Sequence, residues 1–232
     1  MTKILMVAAA SMEFPGILAH ATGVRPAGLA VDWSRFATIG DNEFLLAANG
    51  AGVRRAAAAV DAALAGFRPD AVVSTGFCGA LSPELAIADI VVGDSVAAGP
   101  LRFPALPPRA SRPHRTGAVA SIDHVAGTAA EKRQLHAGGA IAVEMEAAGV
   151  AARAAAAAIP FYCIRAVSDL AGEDMANDFN KALREDGHFD TMGVLLGTLR
   201  APLVRLPELF RLRQRCARAA RVLGEFIADC RF

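Results

Sequence analysis

The stretch that decides the fold runs Ile141-Ala142-Val143-Glu144-Met145-Glu146, continues through the alanine tract Ala154 to Ala158, and ends in Phe161-Tyr162-Cys163-Ile164-Arg165-Ala166-Val167-Ser168-Asp169. Ile141 to Val143 and Phe161 to Val167 are short apolar runs bounded by polar residues, as expected of strands buried on both faces. Glu146 to Ile159 between them is rich in alanine, the strongest helix former. Strand, helix and strand therefore follow one another. Outward from this unit the pattern repeats. Apolar runs recur at Lys3 to Ala9, Glu43 to Ala48, Ala71 to Thr75 and Ile90 to Ala97, and a second alanine-rich helix is predicted over Val53 to Phe67. The alternation predicts an α/β fold: a single domain with a central mixed, mostly parallel twisted sheet flanked by helices, its ligand at the carboxyl ends of the strands.

The composition fits such a domain. Hydrophobic residues make up 54% of the 232 residues and charged residues 20%, enough apolar surface for a sizeable core. The formal net charge of +1 gives no reason to expect a nucleic-acid partner. The four cysteines, Cys78, Cys163, Cys216 and Cys230, form no CxxC pair, and the five histidines show no HExxH spacing. No metal and no cofactor are expected, and the cysteine usage suits a reducing cytoplasm. Lys3 followed by the apolar run Ile4 to Ala10 has the outline of a secretory signal, but at the lower length limit for one. A first buried strand is the better reading.

Two segments break the rhythm. Gly99 to Gly117 carries five prolines among arginines and reads as a long irregular loop, a lid or a plain excursion. Arg200 to Phe232 holds eight arginines against Glu208, Glu225 and Asp229, a net +5 that leaves −4 for the rest. Leu206, Leu209, Phe210, Cys216, Ala220, Leu223, Phe226 and Ile227 fall near one helical stripe there. The expected organisation is a catalytic domain over 1–199 and a basic amphipathic helical extension over 200–232. That helix either lies on a membrane surface or docks on the domain with a solvated arginine face.

Three acidic positions follow predicted strands: Glu13 after the first, the pair Glu144 and Glu146 after the fifth, and Ser168-Asp169 after the sixth. In an α/β sheet these converge on one edge. In extended geometry Glu144 and Glu146 share a face, whereas a helix starting there points them apart, so only one need enter a site. A dinucleotide-binding GxGxxG turn is missing after the first strand, and GxSxG is absent, which discounts a dehydrogenase and a serine hydrolase.

Ala142-Val143-Glu144-Met145-Glu146-Ala147-Ala148, then Ile159-Pro160-Phe161, then Ile164-Arg165-Ala166-Val167-Ser168-Asp169 strongly resemble the nucleoside phosphorylase and methylthioadenosine/adenosylhomocysteine nucleosidase superfamily. Glu13, the turn Asn49-Gly50-Ala51-Gly52 and the string Ser74-Thr75-Gly76-Phe77-Cys78-Gly79-Ala80 match in the same order. The resemblance implies cleavage of the N-glycosidic bond of a purine nucleoside, adenine being the expected base. Charge then builds as in glycoside hydrolysis, positive on the sugar and negative on the leaving group. By this likeness Asp169, supported by Ser168, protonates the imidazole-ring nitrogen of the purine. Glu146 accepts from the ribose hydroxyls, Met145 packs beneath the sugar, and Glu13 activates water. Glu144, Phe77, Gly79 and Val125 complete the expected substrate-binding set.

Departures from the family bear on nucleophile and substrate. Phosphorylases of this family carry a serine or threonine where Phe77 stands and often an arginine where Ser74 stands, both on phosphate. Their absence, with Glu13 as a repelling carboxylate, favours water over phosphate. Phosphate would be the co-substrate of a phosphorylase reading, with Arg25, Arg54 or the Pro-rich loop supplying a cation. A non-catalytic nucleoside-binding protein is the other alternative. Val125 stands where the nucleosidases have a stacking phenylalanine. The tail Leu203-Val204-Arg205-Leu206-Pro207-Glu208-Leu209 is similar to that of the hopanoid-associated phosphorylases, implying a lipid-linked adenosine such as adenosylhopane. The partner is thus a small-molecule or lipid-linked nucleoside. A homo-oligomer is expected, cytoplasmic and in peripheral contact with the inner membrane through residues 200–232.

Overall fold

The computed structural model describes residues 1–184, 186–188, 190 and 202–232. Along the chain come β1 (Lys3–Ala8), a 3-10 turn (Ser11–Glu13), α1 (Pro15–Leu18), β2 (Thr22–Pro26), β3 (Trp33–Ile39), β4 (Asn42–Ala48) and α2 (Val53–Leu64). Then follow β5 (Ala71–Ala80), β6 (Ile90–Ala98), β7 (Leu101–Pro104), β8 (Arg115–Ser121), α3 (Ala129–Ala137), β9 (Ala140–Glu144) and α4 (Ala147–Ala156). β10 (Phe161–Asp169), α5 (Phe179–Ala182) and α6 (Pro202–Asp229) complete the described elements.

All ten strands belong to one mixed sheet flanked by helices, the expected class. Among the described residues five pairings are parallel and five antiparallel, so antiparallel pairs weigh as much as parallel ones. β5 organises the sheet. One edge pairs with β10 along its length, while the other pairs first with β1 (Ile4–Val7 beside Ala71–Ser74) and then, antiparallel, with β9 (Gly79 and Ala80 beside Val143 and Ala142). Between the two partners lies Gly76 at φ +129°, a conformation L side chains rarely adopt. The chain turns there, and the sheet forks. A topological fork of this kind is where α/β sheets leave a crevice for ligands.

Burial on both faces follows from the apolar runs. Leu5 and Val7 of β1 pack towards α2 and α4 with Val72, Ala59 and Val150. Ile4 and Met6 pack on the opposite side with Leu223, Phe226 and Ile227 of α6. The C-terminal half of α6 is thus part of the core, whereas Leu203, Val204, Leu206 and Phe210 in its first turns are exposed. The boundary expected between 199 and 200 lies outside the described residues.

The Pro-rich segment Gly99 to Gly117 is more ordered than an irregular loop. Leu101–Pro104 pairs antiparallel with β6, and Arg109 forms a bridge with Arg231. The Ser111 and Arg112 amides donate to Asp229 at 2.6 and 3.0 Å, and Arg112 pairs with Glu225 at 3.0 Å. These bonds strap it to the end of α6, and among the described residues none of the segment lines the cavity described below.

Candidate active site

A cavity of about 480 Å³ opens at the fork of β5. Its wall brings together all nine residues singled out in the sequence: Glu13, Phe77, Gly79, Val125, Glu144, Met145, Glu146, Ser168 and Asp169. They arrive from the turn after β1, the second half of β5, the loop after β8, the β9–α4 junction and the end of β10.

Glu13 is buried and held at both oxygens. Oε1 accepts from the Phe77 amide at 2.7 Å and Oε2 from the Ala10 amide at 2.9 Å. A Cβ on residue 76 would lie 2.3 Å from Glu13 Oε1, so only glycine admits this carboxylate. Burial pushes its pKa above the ordinary carboxylate value, with the two amides and Arg165 pulling the other way. The carboxyl is moved towards the range useful to a general base near neutral pH.

Glu146 immediately precedes α4; its Oε1 accepts from the Gly52 amide at 3.1 Å. Its pKa is pushed up to about 8, first by burial and then by the neighbouring Glu144. Glu144 has a different role locally. Its Oε2 takes the amides of Glu146 and Ala147 at 2.9 and 2.8 Å, satisfying donors left open at the start of α4. Its Oε1 is buried with no hydrogen-bond partner among the described residues. Asp169 is fixed by Ser168 Oγ at 2.8 Å on Oδ1 and by Lys132 Nζ at 2.5 Å on Oδ2. Gly79 makes room for it, since a Cβ there would meet Asp169 Oδ2 at 2.8 Å.

Two charged residues escaped the sequence reading. Arg165 is fully buried beneath the carboxylates. It forms an ion pair with Glu144, approaches Glu146 Oε2 at 3.5 Å, and donates to Ser74 Oγ at 2.6 Å and the Thr75 carbonyl at 3.0 Å. An arginine amid an apolar strand was the available signal, because a charge at such a position must be paired. Lys132, equally buried, lies in the charged stretch Glu131-Lys132-Arg133, which looks like a solvated helix face. Nothing in the sequence marked it.

The remaining wall is apolar: Met12, Met175, Phe179, Leu209, Leu212 and Cys216. Val125 is tied by a two-point bond to Asn180, its amide donating at 2.7 Å and its carbonyl accepting at 2.9 Å. Among the described residues the basic side chains on the wall are His124 and Arg213. Contrary to the expectation of a cation from Arg25, Arg54 or the Pro-rich loop, none of them lines the cavity; Arg25 is stacked over Phe36 at 4.3 Å. Ser74 faces Arg165 below the site and not the cavity itself. The described residues contain no group of three or more His, Cys, Asp or Glu placed to hold a metal ion.

A mixed α/β sheet forked at β5, with buried carboxylates gathered at the fork, defines a class that the Phosphorylase superfamily profile also matches, over residues 34–109 and 105–189. The chain belongs to the phosphorylase superfamily. Among curated relatives it is 26% identical over 174 residues to the 5'-methylthioadenosine/S-adenosylhomocysteine nucleosidase of Staphylococcus aureus (strain JH9), covering 62% of this chain and 76% of that protein. The S-adenosylhomocysteine nucleosidase of Streptococcus pyogenes shares the fold with a TM-score of 0.69 at 21% identity, over 97% of this chain and 96% of that one. A Helicobacter pylori nucleosidase mutant with 5'-methylthioadenosine in its active site gives 0.74 at 16% identity, over 98% and 96%. A futalosine hydrolase mutant of Helicobacter pylori gives 0.72 at 15% identity, over 98% and 97%.

Proposed function

We propose that this protein hydrolyses the N-glycosidic bond of an adenine nucleoside. The observation that carries the reading is the placing of Glu13, Glu146 and Asp169 on one cavity wall, whose basic side chains among the described residues are His124 and Arg213. The purine lies towards Asp169, which gives its proton to the imidazole-ring nitrogen as the C1'–N bond breaks. Glu146 accepts from the ribose hydroxyls and holds the sugar over Met145. Glu13 takes a proton from water as the water oxygen bonds to C1', so free ribose and neutral base leave. An anionic phosphate entering beside Glu13 would meet a buried acidic group whose two oxygens already accept from the Phe77 and Ala10 amides, which favours water. The nucleosidases among its relatives support the same reaction.

A finer reading concerns the 5' substituent. From the carboxylates the cavity runs to Met12, Leu209, Leu212 and Cys216, and a second cavity of about 440 Å³ shares Met12, Arg213 and Cys216 and continues between α1 and α6. An apolar substituent fits this path, so a lipid-linked adenosine such as adenosylhopane is the proposed substrate. The exposed Leu203, Val204, Leu206 and Phe210, interspersed with Arg205 and Arg211, suit contact of α6 with an anionic bilayer. None of the described helices is long and apolar enough to cross a membrane.

The test is release of free adenine, followed by chromatography, from adenosine, methylthioadenosine and a 5'-alkyl adenosine. Release is expected with the alkyl compound preferred, and Asp169→Asn should lose about 10²-fold or more in kcat. Full activity in that variant would sink the acid role. Equal sedimentation with anionic vesicles of the full chain and of the Phe210→Glu variant would remove the membrane contact.

A further inference from the structure

We infer that Lys132 is a positioning residue for Asp169, acting on departure of the base through that carboxyl and not by touching the nucleoside. The inference rests on the reading of Asp169 as the group that protonates the purine. Lys132 is the fourth residue of α3, whose start is fixed by Thr128 Oγ1 accepting from the Glu131 amide at 3.2 Å. Its side chain runs inward with none of its surface exposed, and Nζ donates to Asp169 Oδ2 at 2.5 Å and to the Leu170 carbonyl at 2.8 Å. With Ser168 on Oδ1, both carboxyl oxygens are engaged and the carboxyl plane cannot turn.

Burying an ammonium and a carboxylate costs more than burying an apolar pair of similar volume, so stability alone gives little reason for Lys132. Catalysis supplies one. The acting state holds one proton more than the ammonium–carboxylate pair, taken up from water; when that proton passes from Asp169 to the purine nitrogen the carboxylate is restored beside the ammonium, which stabilises it without reorganisation. Lys132 does not line the large apolar cavity. It lines a third, smaller cavity of about 180 Å³, together with Asp169, Glu173 and Arg215. Asp169 therefore stands between the two: the nucleoside comes from one side, and water reaches the pair from the other to return the proton after turnover.

The test is a double-mutant cycle on kcat for adenine release, with the melting temperature of each variant as the folding check. Lys132→Gln should lose about 30-fold or more in kcat with KM within threefold. In an Asp169→Asn background, where the amide oxygen still accepts from Nζ, the same change should cost less than twofold, because the charge it serves is gone. Equal losses in both backgrounds, a loss confined to KM, or no loss from Lys132→Gln would overturn the proposal. If Lys132→Gln does not fold, Lys132→Met, the closest apolar shape, takes its place in the same cycle. A wild-type protein that releases no adenine, or an Asp169→Asn variant as active as wild type, would instead refute the underlying reading of Asp169.

Discussion

Replacing Gly76 by alanine perturbs the site through one methyl group. Its Cβ would stand 2.3 Å from Glu13 Oε1 and 2.9 Å from Cδ, against ordinary contact beginning at 3.4 Å, so the carboxylate must retreat by about 1 Å. It cannot do so freely, because the amides of Phe77 and Ala10 clamp both oxygens. A misplacement of about 1 Å at a reacting group costs on the order of 10²-fold in rate. The backbone adds its own term, since φ +129° in a non-glycine residue costs about 1–3 kcal/mol. For a chain of this size that is a fall of roughly 2–12 °C in Tm. Steady-state kinetics with scanning calorimetry separate the two effects. In a Glu13→Ala background, Gly76→Ala should keep the loss in Tm while adding less than threefold to the loss in kcat. A Gly76→Ala protein with kcat within threefold of wild type would refute the placing of Glu13 as base.

Three further outcomes are expected. The raised carboxyl of Glu146 stays protonated in the folded protein to about pH 8, whereas an ordinary group releases its proton near 4.5, so the stability it contributes is lost as pH rises through that window. Glu146→Gln should therefore match wild type in Tm at pH 5 and exceed it at pH 8.5 by about 2–4 °C for each kcal/mol recovered; a difference independent of pH contradicts the burial argument. Asp229→Ala removes the acceptor for the Ser111 and Arg112 amides, and should speed tryptic cleavage after Arg109 and Arg115, Arg112 being protected by Pro113, with kcat unchanged within twofold. A tenfold fall in kcat would assign a lid role to that segment. Leu223→Ala, fully buried between α6 and the sheet, should cost about 2–5 kcal/mol in denaturant unfolding. A cost under 0.5 kcal/mol would mean that α6 is not part of the core.

Legibility in the sequence followed burial. β1 and β10 were readable because nearly every position is apolar, their alternate side chains feeding both faces of the sheet. β2 is exposed at all five positions, and β8 is built largely from Gly117, Ala118 and Ala120, so neither carries a strand pattern strong enough to detect. The candidate site was legible where a carboxylate closes an apolar run, as at Glu13 and Asp169, and the family resemblance supplied expected roles. What lay beneath was hidden. Arg165 and Lys132 owe their positions to tertiary pairing with Glu144 and Asp169, partners 21 and 37 residues away along the chain. The amphipathic stripe of α6 was visible, yet only the fold divides it: Leu223, Phe226 and Ile227 meet the sheet, Leu209 and Leu212 wall the cavity, and Phe210 stays exposed.

The claim that water is the nucleophile is tested most directly by single-turnover cleavage in ¹⁸O-labelled water, with and without inorganic phosphate, read by mass spectrometry of the sugar. Hydrolysis at Glu13 predicts ribose bearing ¹⁸O at C1' at a rate indifferent to phosphate. A sugar 1-phosphate free of label, formed only when phosphate is present, would contradict it.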